Sequence, residues 1–213
     1  LDNLTFSNAT SSAYSIDDGS AEASVGQGYG TNTLIWANRF DAPAGGDTIT
    51  AIAVAFGDPL STSASGEDGA ENGNGVSVSI WSDVNNDGSP SDALLLGSTY
   101  GTITSTDTNT FEVFPFVDFD TGAEQSIPVT GSFFAVVSYT YNRQIGDGPG
   151  QFPAALDQSS DAGKSLVGIG TDFTQIGYNE PRFAGNWLIR ALHYNDSDSD
   201  SDDDGVVNAE DNC

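Results

Sequence analysis

The sequence predicts an all-β protein: a jelly-roll-like β-sandwich carrying an acidic calcium-binding loop at its C-terminal end. Three observations lead there. Apolar and polar residues alternate along several short runs, as a strand with one buried face requires, and no stretch carries a helical stripe. Those runs are bounded by Gly, Pro, Asn and Asp, the residues that turns use. Of the 31 acids, 24 are Asp and 7 are Glu. Glu suits helices, whereas Asp suits turns and the short-armed ligation of hard cations.

In chain order, weak strands are expected at Tyr14 to Ile16 and a firmer one at Leu34 to Phe40. Asp47 to Phe56 follows, with Ile52, Val54 and Phe56 facing inward. Gly75 to Ser82 (GVSVSIWS) alternates most cleanly, with Val76, Val78 and Ile80 on the core face and Trp81 sharing the other with Ser77 and Ser79. Ala93 to Ser98, Phe111 to Phe119, Gln125 to Val129, Phe133 to Tyr141, Ser165 to Ile169 and Trp187 to Tyr194 complete about ten strands, the number a sandwich or jelly roll uses. Gly57 to Gly73 and Arg143 to Pro153 read as long loops, rich in Gly, Ser, Pro and acids. Residues 14–194 form the sandwich domain on this reading. Residues 1–13 form a linker or a strand donated to a neighbour, because Leu4 and Phe6 alternate. Residues 195–213 begin a separate calcium repeat.

Charge narrows the function. Only 5 basic residues stand against the 31 acids, a net charge of −26. With no basic patch to meet phosphate, nucleic acid and anionic membrane surfaces are excluded as partners. No apolar run reaches the roughly 18 residues a membrane span needs. Leu1 is not an initiator and the chain holds no Met, so a chain trimmed after export, extracellular or at the cell surface, is expected.

The tail DSDSDSDDDGVVNAEDNC carries the strongest chemistry. A hard divalent cation takes six to eight oxygens, which a tight loop supplies from positions 1, 3, 5, 7, 9 and 12 with Gly at position 6. Gly205 sets the register. Asp200, Asp202 and Asp204 then precede it, Val206 gives a backbone carbonyl, Asn208 is position 9 and Asp211 is position 12. Four carboxylates in one loop repel one another unless a cation sits among them, so order in this tail is expected to depend on Ca2+.

DSDDDGVVNAEDNC, Asp200 to Cys213, resembles one thrombospondin type 3 repeat. The resemblance implies tandem calcium loops joined by disulfides, with Cys213 one half of a bridge whose partner lies in a following repeat. Asn208 departs from the more usual Asp, which lowers the charge and keeps the oxygen. The stretch before the tail resembles, more loosely, a β-sandwich ancillary domain of secreted bacterial proteins. That resemblance rests on Tyr14–Glu22, Asn38-Arg39-Phe40, Val78–Asp83 and Gly185–Ala191. It implies a non-catalytic companion to other domains.

Two further features bear on function. Asp83-Val84-Asn85-Asn86-Asp87-Gly88 repeats the spacing of a calcium loop, with Asp83, Asn85 and Asp87 as ligands and Asp92 able to close the site. The same residues also suit an Asp-Gly hairpin turn. Trp81 is the tryptophan placed to stack on a sugar ring, whereas Trp36 and Trp187 fall on core faces. Catalysis finds little support: His193 is the only histidine, and there is one Cys. No Gly-x-Ser-x-Gly elbow or phosphate-cradling loop is present. A glycosidase pair cannot be picked out among so many acids. A non-enzymatic protein is expected. Three readings follow: a calcium-binding adhesion or binding module of a surface or secreted protein, a self-associating subunit of an extracellular fibre or sheath, or a polysaccharide-binding companion of a secreted hydrolase.

Overall fold

The computed structural model describes residues 12–27, 33–57, 70, 72–105, 109–140, 151–169 and 172–193. The Ca2+ ligands proposed from Asp200 to Asp211, and Cys213, lie outside the described residues.

Fourteen strands and two single turns of 3-10 helix make up the described residues. The strands are β1 (Ser12–Tyr14), β2 (Ala23–Gln27), β3 (Thr33–Asp41), β4 (Asp47–Ala55), β5 (Gly75–Ser82), β6 (Leu94–Thr102) and β7 (Phe111–Pro115). Then come β8 (Ile127–Val129), β9 (Ser132–Thr140), β10 (Gln151–Asp157), β11 (Ser165–Ile169), β12 (Asp172–Gln175), β13 (Asn186–Trp187) and β14 (Ile189–His193). All their pairings are antiparallel, as an all-β sandwich requires.

One layer is a six-stranded sheet in the order β12-β11-β3-β9-β5-β6. Facing it is the order β1-β14-β4-β7, with β8 paired to β4. A three-stranded sheet, β13-β10-β2, joins the second layer through a Phe56–Ala154 bridge and the β13–β14 connection. The inward faces meet in one apolar core that includes Trp36, Ile52, Val54, Phe56, Val78, Ile80, Phe133 and Trp187. Alternation put these residues there, because successive side chains of a strand point to opposite faces. Each is fully or almost fully buried, so cutting one of the two tryptophans to Ala removes contact on all sides and costs about 3–5 kcal/mol.

A polar stitch crosses this core. Asn38 Nδ2 donates to the carbonyls of Trp187 and Ile189 at 2.8 and 3.0 Å. Its Oδ1 accepts from Ser165 Oγ at 2.6 Å, and that hydroxyl accepts from the Trp187 amide at 3.1 Å. A buried amide with all these partners tolerates only one placement of the β13–β14 junction against β3.

Several strands depart from expectation. β1 takes in Ser12 and Ala13 ahead of Tyr14, with Ser12 paired to His193. The Arg143–Pro153 loop gives way to strand at Gln151, and β10 pairs with β2 across a register shift that accommodates Pro153. β2 and β12 are short, and Gly26 in the one and Asp172 in the other obscure them in the sequence. Phe119, expected at a strand end, is exposed in a turn.

Candidate functional site

The Asp-rich loop between β5 and β6 is the one sequence-predicted metal site among the described residues. Asp83 follows directly on β5, and its amide donates to the Ser132 carbonyl at 3.0 Å, pinning the loop start to β9. Asn86 has φ 58° and Gly88 φ 79°. Those two left-handed residues fold the loop tightly, and Asn and Gly are the residues that accept such backbone most cheaply. Ser89 then caps the 3-10 turn Pro90–Asp92, where the chain turns back into β6.

A guanidinium sits inside this loop. Arg39 Nε lies 3.0 Å from Asp83 Oδ2, which also accepts from the Gly88 amide at 3.1 Å. Arg39 Nη2 donates to Asn86 Oδ1 at 2.7 Å and to Ser132 Oγ at 3.1 Å. The Asp83 side chain is fully shielded from solvent while that of Arg39 keeps 23% of its exposure. Asp83 Oδ1 is buried without a hydrogen-bond partner, so the arginine charge is what compensates this carboxylate. Ser132 Oγ extends the network to Asp41, which also accepts from Lys164 Nζ at 2.8 Å. Those hydrogen bonds, from Lys164 first and then Ser132, hold the Asp41 carboxyl below the usual aspartate range. A groove of about 630 Å³ opens here, walled by Arg39, Asp41, Asp83, Asn86, Thr130 and Ser132.

The other three ligand candidates do gather. Asn85 Nδ2 donates to Asp87 Oδ2 at 3.1 Å and to Asp92 Oδ2 at 2.7 Å. Asp87 Oδ1 accepts from the Ser89 amide at 2.7 Å. Asp83 faces Arg39 rather than this trio. Among the described residues no group of three or more His, Cys, Asp or Glu is arranged to hold a metal ion.

Trp81 does lie on the outer face of the six-stranded sheet. It is half-buried there, edge-on to Phe173 at 6.1 Å between ring centres, over Phe134, Val136 and Ala37. Exposed aromatic surface occurs instead at Tyr100 on β6 and Phe119, whose rings lie 5.9 Å apart. The lone histidine meets Asp47: His193 Nδ1 is 3.1 Å from Asp47 Oδ2, the same oxygen that accepts from the Tyr14 hydroxyl. Burial first, then the hydrogen bond and charge of Asp47, push the Tyr14 phenol well above its ordinary range. The phenol stays protonated at neutral pH and acts as a tie between β1 and β4.

No protein-family model matches the sequence, and no curated protein matches it. Solved structures resemble the fold. One is the clostridial cysteine protease Cwp84 after propeptide cleavage, with TM-score 0.59 and 14% identity, over 89% of this chain and 41% of that one. Another is described as the cysteine protease and lectin-like domains of Cwp84, a surface layer associated protein of Clostridium difficile. It aligns with TM-score 0.50 and 14% identity, over 79% of this chain and 36% of that one. At that identity the likeness is one of fold, and this chain spans well under half the length of either structure.

Proposed function

We propose that the chain is a non-catalytic, calcium-binding β-sandwich module for binding or adhesion within a larger surface or secreted protein. The observation that carries this reading is the fold match to Cwp84. It takes in most of this chain and a minority of a structure described as a cysteine protease with lectin-like domains of a surface layer associated protein. An all-β chain fits the lectin-like part of that pair. The calcium part rests on the ligand spacing Asp200, Asp202, Asp204, Asn208 and Asp211 around Gly205. The thrombospondin type 3 likeness and an extracellular or surface location belong to the same proposal. Calorimetric titration of Ca2+ into the chelator-treated chain tests it: at least one site is expected. Absence of any heat from Ca2+ would overturn the calcium part.

A second reading, a polysaccharide-binding companion of a secreted enzyme, draws on the phrase "lectin-like" in the description of one structural neighbour. Retention on immobilised polysaccharide, lowered by Trp81→Ala, is its expected signature. Retention that Trp81→Ala leaves unchanged would remove Trp81 from the binding surface.

A further inference from the structure

We infer that the outer edge of β6 is a strand-docking site, and that its occupant is the segment Asn3–Ser11 of a second copy of this chain. β6 ends the six-stranded sheet and pairs only with β5 among the described residues. An edge strand offers a row of free amides and carbonyls, which soluble proteins guard with shortness, charge or proline. The other edges here are guarded. β1 has three residues, β13 two and β2 five, β12 has four and begins with Asp172, β7 carries Glu112 and Pro115, and β8 carries Pro128. β6 is nine residues long (LLLGSTYGT) with neither charge nor proline. Its single irregularity lies at its start, where Leu96 is skipped in the pairing with β5, leaving Gly97–Thr102 in regular register.

Apolar exposure is concentrated at the same place. Of the eight large apolar side chains exposed among the described residues, Leu94, Leu95, Leu96 and Tyr100 are on β6, Val113 is on β7 and Phe119 touches Tyr100. Tyr100 keeps 70% of its surface. Beside β6, where the two layers of the sandwich end at β6 and β7, a groove of about 580 Å³ runs past Tyr100, Thr102, Phe111, Val113, Pro115 and Val117. The layers close at this seam because β6 gives way: a Cβ at Gly97 would strike Ile127, and one at Gly101 would strike Phe114. A strand added to β6 lays every second side chain into such a groove, the usual logic of β-augmentation.

The occupant follows from charge and topology. Two bodies at −26 repel, so a broad face-to-face contact between copies is opposed. Asn3–Ser11 (NLTFSNATS) carries no charged side chain, alternates Leu4 and Phe6 with Thr5 and Ser7, and at roughly 3.3 Å per residue matches the length of β6. Residues 1–11 lie outside the described residues, but their point of attachment does not. Ser12 opens β1, at one edge of its sheet, whereas β6 adjoins β7 at the other edge of that sheet, beyond β14 and β4. Donor and acceptor are thus on opposite flanks. A contact between two different surfaces propagates head to tail rather than closing into a two-fold dimer. This inference is independent of what the sandwich binds and of the calcium loop.

Light scattering on the full chain across a concentration series tests it, with and without chelator. Species heavier than the 22.1 kDa chain, growing with concentration and indifferent to chelator, are expected. Leu4→Asp/Phe6→Asp and, separately, Leu94→Lys/Tyr100→Lys should each weaken association about tenfold or more, equivalent to about 1.4 kcal/mol. A synthetic peptide of residues 1–11 should compete. All four positions avoid the buried core or lie outside the described residues, and unchanged circular dichroism confirms folding; Tyr178→Lys, equally exposed elsewhere, should change nothing. A chain that stays monomeric throughout overturns the inference. So does association that either double variant leaves intact, or association that chelator alone abolishes.

Discussion

Two stretches of this chain share the spacing Asp-x-Asx-x-Asp-Gly, Asp83–Gly88 and Asp200–Gly205, and the first of them holds an arginine. At the first, Arg39 reaches in from β3 and faces Asp83, Asn86 and Ser132. At the second, the sequence holds no Lys or Arg anywhere after Arg190. The difference teaches that such spacing specifies a need for positive charge and not its carrier. A loop of short acidic arms can be compensated by a guanidinium delivered from a neighbouring strand, as an alternative to a divalent cation delivered from solvent. In the first loop the arginine is a covalent part of the fold, so its order does not wait for an ion. The tail, on our proposal, depends on one.

The largest expected effect breaks the first half of that comparison. Arg39→Met leaves the Asp83 carboxylate buried and uncompensated, and should cost about 3–5 kcal/mol of stability in denaturant melts. Adding Asp83→Asn should recover part of the loss, since a neutral side chain needs no counter-charge. With the tail disabled by Asp204→Ala and Asp211→Ala, Ca2+ should then raise the melting temperature of the Arg39→Met chain and not that of its Arg39 parent. Equal responses would mean that arginine and cation are not interchangeable in this loop.

The next effect sharpens the second half. In calorimetry Asp204→Ala with Asp211→Ala should abolish the Ca2+ heat in the roughly 10⁻⁴–10⁻³ M range typical of extracellular modules. Heat that persists in the double variant would place a cation at Asn85, Asp87 and Asp92, which already meet through the Asn85 amide. A further Asp87→Ala change would then remove it.

The sequence carried the strands whose faces alternate. β5 put Val76, Val78 and Ile80 in the core, β4 did the same with Ile52, Val54 and Phe56, and both buried tryptophans were legible. Strands held by their neighbours were not: β10 contains Pro153 and alanines, and becomes a strand because β2 and β13 flank it. The site was half legible. The acidic spacing after β5 could be seen, but not the arginine inside it. Arg39 lies 44 positions from Asp83 and arrives through register, pairing with Phe134, which pairs in turn with Trp81 two residues before Asp83. With five basic residues in the whole chain, asking which carboxylate each one serves was the signal available. Trp81 was placed on the correct face, while its cover, Phe173, comes from a strand 92 residues away and carries no local mark.

The smallest effect tests how far the charge network extends past Arg39. Lys164 and Asp41 are both more than a third exposed, so solvent screens the pair and Lys164→Ala should cost no more than about 1 kcal/mol. Its pH dependence identifies it better than its size does. Asp41 is held below the ordinary aspartate range in the folded chain by Lys164 and Ser132. A depressed carboxyl stabilises the fold above its unfolded pKa of about 3.9 and loses that contribution as pH falls through the folded value. The gap in stability between the parent and Lys164→Ala should therefore be steady at neutral pH and shrink below about pH 4. Thermal melts of both chains over that range measure it. A gap that stays constant into acid would assign the effect of Lys164 to the packing of its stem across β3, leaving the charge network to end at Ser132.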